Sequence, residues 1–280
     1  MADVTWAKAL EKLEEYIFKM LTPTGVGTGF LISLSGNICG IATAFHVVEH
    51  EYDWEEPIKI QHYRTGKQVL LRKPDRVIFP YSNQDLAFIL FPQGEFELPT
   101  KMLKMKPSDK YVRQGVQMGW CGFPNIASSQ LCFFTGHVSA LLQSTGSYLV
   151  DGVAINGVSG GPAFTVHDES PHICGVVSAY IANRATGETL PGVCLIRDVA
   201  PYQDLLSRLE SLEQAKETAK AETAEQEATK ESRAQPQKAA PRNTLEKEAR
   251  RTTPKNSAPN RKTAKKTAKI RNNTIAGTAY

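Results

Sequence analysis

What most limits the folds open to this chain is the texture of residues 25–199, where short β-branched and apolar runs are separated by Gly, Pro, Asn and Asp. Gly29-Phe30-Leu31-Ile32, Ile58-Lys59-Ile60, Leu86-Ala87-Phe88-Ile89-Leu90-Phe91, Tyr148-Leu149-Val150 and Cys174-Gly175-Val176-Val177 are such runs. No helical period intervenes between them, which argues against alternating strand and helix and for an antiparallel barrel or sandwich. The expected class is mostly β.

The two ends differ from this centre. Trp6, Leu10, Leu13, Ile17 and Met20 recur at three- and four-residue steps among Lys and Glu, which predicts an amphipathic helix over residues 1–22. The leucines of Tyr202-Gln203-Asp204-Leu205-Leu206-Ser207-Arg208-Leu209 share one helical face, predicting a second helix over 201–219. Residues 220–280 carry almost no large apolar side chain and are expected to form a disordered basic tail with fragments of helix, because ordering them gains too little burial. From Ser211 onward there are 16 Lys/Arg against 8 Asp/Glu, so the overall +4 splits into a basic tail and a body of −4. No run of about 18 apolar residues occurs, so neither a membrane span nor a secretory leader is expected. Five scattered cysteines (Cys39, Cys121, Cys132, Cys174, Cys194) sit in apolar company and read as reduced, buried thiols of a cytoplasmic protein. They form no zinc-spaced set, and neither metal nor cofactor is expected.

Three segments carry groups able to do chemistry. In Asn156-Gly157-Val158-Ser159-Gly160-Gly161-Pro162 a serine is flanked by glycines, which admit a substrate backbone and free an amide to face a developing oxyanion. His46 ends the strand-like Ile38–Ala44 run, and Asp85 opens the apolar run from Leu86. The order His46, Asp85, Ser159, each at the end of a β-type run, is the order of the chymotrypsin-type Ser-His-Asp arrangement.

On Gly27-Thr28-Gly29-Phe30-Leu31-Ile32, Thr43-Ala44-Phe45-His46, Asp85-Leu86-Ala87, Gly157-Val158-Ser159-Gly160-Gly161-Pro162 and Gly175-Val176-Val177-Ser178, the chain resembles the trypsin-like serine peptidases, especially the compact bacterial type without disulfides. The resemblance implies two antiparallel six-stranded β-barrels over residues 23–200, divided near 105–115. It implies a Ser-His-Asp endopeptidase acting through an acyl-enzyme on a peptide or protein, with Gly157 and Ser159 amides as the oxyanion hole. Ser178, Ala179 and Tyr180 would hold an extended substrate, and Val153 would lie near the pocket floor, with segments 179–182 and 192–194 as walls. With no acid among these, a small or medium apolar residue is expected before the scissile bond. Val158 precedes the nucleophile where secreted digestive relatives carry an aspartate, so activation through a newly cut N-terminus is not expected.

Other patterns compete. His46-Val47-Val48-Glu49-His50 fits H-x-x-E-H, a zinc-peptidase pattern that needs a helix, and Gly157-Val158-Ser159-Gly160-Gly161 fits the α/β-hydrolase elbow, which needs a helix after the serine. The tail leaves a different class open. Nine Lys/Arg without an acid between Arg250 and Arg271 allow weak, nonspecific contact with nucleic acid or another acidic partner, the protease-like body then being inactive or secondary.

Overall fold

The computed structural model describes the backbone of residues 2–182 and 189–234 and, within these, the side chains of residues 5–178 and 192–223. Helix α1 (Ala2–Leu13) follows the Trp6, Leu10 and Leu13 spacing but stops short of the expected residue 22. After a 3-10 turn at Glu14–Tyr16 the chain becomes strand β1 (Ile17–Thr22). Cross-strand partners override the helical spacing here: β1 pairs antiparallel with β2 (Gly25–Ser35) and β4 (Ile58–His62), and burial of Ile17, Phe18 and Met20 follows.

With β3 (Ile38–Thr43), β5 (Gln68–Leu71), β6 (Val77–Tyr81) and β7 (Leu86–Pro92), these form a seven-stranded sheet in the order β5-β4-β1-β2-β3-β7-β6. A short helix α2 (Glu49–Asp53) follows β3. The chain then crosses to a second sheet between Pro92 and Lys104, earlier than the expected 105–115, because β8 (Lys104–Met105) already pairs in parallel with β13 (Ser170–Ala182). In that sheet β9 (Gln117–Gly122), β10 (Cys132–Leu142), β11 (Ser147–Asp151), β14 (Thr189–Asp198), β13 and β12 (Pro162–His167) close into a ring through β12–β13 pairing. The two six-stranded barrels expected are therefore one closed six-stranded barrel with β8 appended, and one seven-stranded half-barrel whose edge strands β5 and β6 do not pair among the described residues.

Large side chains fill both interiors. Phe18, Phe30, Phe88 and Phe91 lie in one cluster with Leu13 of α1, and Trp120, Tyr148, Val150 and Ile196 in the other. Trp6 on α1 lies 5.5 and 5.6 Å from the Phe133 and Phe164 rings of the closed barrel, so the segment leading into the first sheet is fastened to the second.

Helix α3 (Ala200–Ala234) runs well past the expected residue 219, so the fragments of helix expected in the tail begin as a direct continuation of α3 as far as Ala234. Its Ala, Glu and Lys content favours continuation of a helix already nucleated by packed leucines, without further burial. The chain divides into units Met1–Glu225 and Gln226–Tyr280, and residues 226–234 of the second continue α3. The basic stretch 250–271 lies outside the described residues. Among them, no helix is long and apolar enough to cross a membrane.

Candidate active site

Strand β3 ends at Thr43, and a 3-10 turn at Phe45–Val47 then presents His46. Strand β7, the neighbour of β3, begins just after Asp85, so adjacent strand ends set these two side chains side by side. Asp85 has φ 50°, a left-handed conformation that Asp tolerates better than most residues. It brings the carboxylate back over the turn, where Oδ1 accepts the His46 amide at 2.9 Å. His46 Nδ1 lies 3.0 Å from Oδ1 and 2.9 Å from Oδ2. An ionised carboxylate only accepts, so Nδ1 carries the proton and Nε2 is left as an acceptor.

Ser178 on β13 donates its hydroxyl to Asp85 Oδ2, and Arg197 Nε approaches that hydroxyl at 3.4 Å. Burial pushes the Asp85 pKa upward. Hydrogen bonds and charge from His46, with the Ser178 bond, outweigh burial and hold it below the usual carboxylate value.

Ser159 sits in the loop before β12, and its hydroxyl donates to the Ser178 carbonyl at 3.2 Å. Gly157 and Gly160 have φ of +97° and +85°, and a Cβ on Gly160 would lie 2.0 Å from the Thr28 carbonyl oxygen, so only glycine makes this turn. Hydrogen bonds account for almost the whole loop. The carbonyls of Ile155, Asn156, Gly157, Val158 and Ser159 each accept a bond, from Val158 N, Asn125 N, Thr28 Oγ1, Gly161 N and Thr28 N respectively. The amides of Val158, Gly160 and Gly161 each donate one. Among the described residues, the Gly157 and Ser159 amides alone in 157–161 make none, the arrangement an oxyanion site needs. A cleft of about 240 Å³ opens there, bounded by His46, Ser159, Gly157, Asn125, Asn156 and the turn around Thr24.

The structure thus brings His46, Asp85 and Ser178 into contact and sets Ser159 and Gly157 on the cleft that His46 lines. It does not bring Val153 there: with Gly152 against the Trp120 ring, Val153 is 49% exposed and outside the cleft. The Ala179 and Tyr180 side chains lie outside the described residues, although their backbone continues β13. Neither competing pattern finds its setting. His50 packs 6.3 Å from the Trp54 ring, no three metal-ligating side chains cluster among the described residues, and Ser159 is followed by strand β12 instead of a helix.

Sequence reasoning missed Asn125 and Tyr202. The Tyr202 hydroxyl is shared between the Thr43 and Ala87 carbonyls at 2.8 and 3.0 Å, clasping the strand ends that carry His46 and Asp85. The Asn125 amide donates to the Asn156 carbonyl at 2.7 Å, and in a trans peptide this turns the Gly157 N–H the opposite way, toward the cleft. Asn125 is the first residue of a 3-10 helix, and Pro124 before it is extended (φ −63°, ψ 140°), a backbone that admits proline at 125, where its Cδ would push the Asn156 carbonyl out of its present place. Asn125→Pro deletes that donor and is expected to lower kcat about 100-fold, near the effect of losing an oxyanion contact. Asn125→Ala, which keeps the amide, should stay close to wild type, and equal losses in both would assign the effect to the side chain.

No protein-family model matches the chain, and no curated protein is significantly similar in sequence. Solved structures are similar to it in fold. Deg5 superposes with a TM-score of 0.54 at 18% identity over 74% of this chain and 92% of its own. A serine endoprotease from Yersinia pestis gives 0.54 at 16% identity over 73% of this chain and 66% of its own. The HtrA-type protease AlgW, solved with a decapeptide, gives 0.55 at 16% identity over 74% and 67%. The chain has the chymotrypsin-like fold of these trypsin-type serine proteases.

Proposed function

We propose that this chain is a serine endopeptidase in which Ser159 is the nucleophile, His46 the base and Asp85 the group that orients and stabilises the imidazolium. The observation that carries the reading is the His46 Nδ1–Asp85 contact beside a serine loop in which Gly157 and Ser159, whose amides are unengaged among the described residues, line the same cleft as His46. Turning about χ1, the Ser159 hydroxyl leaves the Ser178 carbonyl for His46 Nε2. As that nitrogen takes the proton, Oγ bonds to the substrate carbonyl carbon, whose oxyanion is held by the Gly157 and Ser159 amides. Collapse breaks the C–N bond, the imidazolium gives its proton to the leaving amine, and water releases the acyl group by the same steps reversed.

Ladder pairing of β12 with β13 ends at Val176, and once the Ser159 hydroxyl has left the Ser178 carbonyl, the Ser178–Tyr180 backbone would take an extended substrate as an added strand. Residues 179–182 and 192–194 contain no acid, which supports a small or medium apolar residue before the scissile bond. The five thiols are all free, in keeping with a reducing, cytoplasmic setting.

The test is labelling with a fluorophosphonate, followed on the same preparation by cleavage of peptides varied before the scissile bond. One adduct, mapped to Ser159 and lost in Ser159→Ala, is expected, with apolar peptides cut fastest. Folded wild-type protein that takes no adduct overturns the endopeptidase reading, and a preference for Arg overturns the proposed specificity.

A further inference from the structure

We propose that the hydroxyl of Thr28 is a positioning group for the oxyanion site, holding the nucleophile loop from the opposite sheet; this rests on the endopeptidase reading. Thr28 lies on β2 and is fully buried. Its Oγ1 donates to the Gly157 carbonyl at 2.9 Å and accepts the Phe123 amide at 3.1 Å. Its main-chain N–H donates to the Ser159 carbonyl at 2.8 Å, and its own carbonyl accepts the Thr43 hydroxyl at 2.7 Å. One buried residue therefore grips the loop at the carbonyls of both residues whose amides form the proposed hole.

The hydroxyl matters because the loop is not stiff by itself. Gly157, Gly160 and Gly161 have no Cβ to oppose rotation, so the peptide planes between them turn at little steric cost unless held. The plane joining Gly157 to Val158 lies between the two hole amides. It is fixed by two bonds, the Thr28 hydroxyl at its carbonyl and the Ile155 carbonyl at its N–H, the latter 3.0 Å away. Without the hydroxyl the carbonyl end is released, and turning that plane carries the flanking Gly157 and Ser159 amides off their common direction. The main-chain bond from Thr28 survives any side-chain change, so the loop stays in place while its aim is lost. Among the described residues no hydrogen bond joins Thr28 to His46 or Asp85, so the base should be unaffected.

Thr28→Ser and Thr28→Ala both lose the methyl and differ only by the hydroxyl, which isolates the effect. With p-nitrophenyl butyrate and the fluorophosphonate as probes, kcat and the labelling rate are expected to be about 10- to 100-fold lower in Thr28→Ala than in Thr28→Ser, somewhat less than loss of a whole oxyanion donor. KM and the acid limb of the pH–rate profile should stay the same in both. Thr28→Val exchanges the hydroxyl for a methyl of similar volume and, should Thr28→Ala fail to fold, isolates the hydroxyl by comparison with wild type. Equal rates for the serine variant and the hydroxyl-free one, a loss confined to KM, or a shifted acid limb each overturn the proposal while leaving the endopeptidase reading standing. Wild-type protein that neither hydrolyses the ester nor takes the probe removes both.

Discussion

Asp85→Asn is expected to lower kcat about 10,000-fold with little change in KM, the size of effect that follows when the imidazole is held in the wrong tautomer. The Asp85 carboxylate only accepts, and its two oxygens receive the His46 amide, His46 Nδ1 and the Ser178 hydroxyl. An asparagine amide can place its NH2 where one of these acceptors was. Nδ1 then becomes the acceptor, the proton moves to Nε2, and the nitrogen meant to take the Ser159 proton can no longer do so. Hydrolysis of p-nitrophenyl butyrate by the purified variant measures the loss, and activity within tenfold of wild type would remove Asp85 from the mechanism. A second readout is stability. The folded pKa of Asp85 is lowered, so its ionised form contributes stability that is present above the unfolded value and lost as pH falls through the folded one. The variant's Tm should accordingly change less with pH across that acidic window.

The residues proposed to do chemistry were legible because each carries its own local pattern: a serine among glycines, a histidine closing an apolar run, an aspartate opening one. Their supports were not. Thr28 and Gly157 are 129 positions apart, and Tyr202 reaches Thr43 across 159, so only the fold brings them together. Periodicity failed at Ile17 and Met20 for a related reason. A three-residue step suits a helix, but here the burial of both side chains is fixed by pairing with Phe30, Gly27 and Ile60. Val153 stands half exposed with its carbonyl accepting the Trp120 indole N–H, beside Gly152 against the same ring, contacts that spacing from the serine does not encode. At α3 only the end of the helix escaped the spacing: past residue 219 there are no large apolar side chains to mark it, and Ala, Glu and Lys extend a helix that packing has already started.

Lys106→Met is expected to destabilise the body by about 3 to 5 kcal/mol, because it strands a buried carboxylate. Lys106 Nζ lies 3.0 Å from Asp198 Oδ1, with the two side chains 7% and 4% exposed. Its remaining protons go to the carbonyls of Lys110 and Pro107 at 2.8 and 3.3 Å. Asp198 also accepts the Tyr148 hydroxyl and the Ala200 amide, which cannot by themselves offset an unpaired charge out of water. Burial, with the Asp198 carboxylate beside it, pushes the Tyr148 hydroxyl upward in pKa and keeps it a donor. A fall in Tm of about 10 °C is the expected reading for a body of this size. Joining Asp198→Asn to Lys106→Met should restore most of it, since no charge is then left buried. A single-variant loss below about 1 kcal/mol would mark the pair as no stronger than a surface bridge. The consequence extends to the site: α3 begins just beyond Asp198, and its Tyr202 clasps the strand ends bearing His46 and Asp85. Loosening that start should therefore slow fluorophosphonate labelling at temperatures where the barrels remain folded, and the double variant should recover the rate together with Tm.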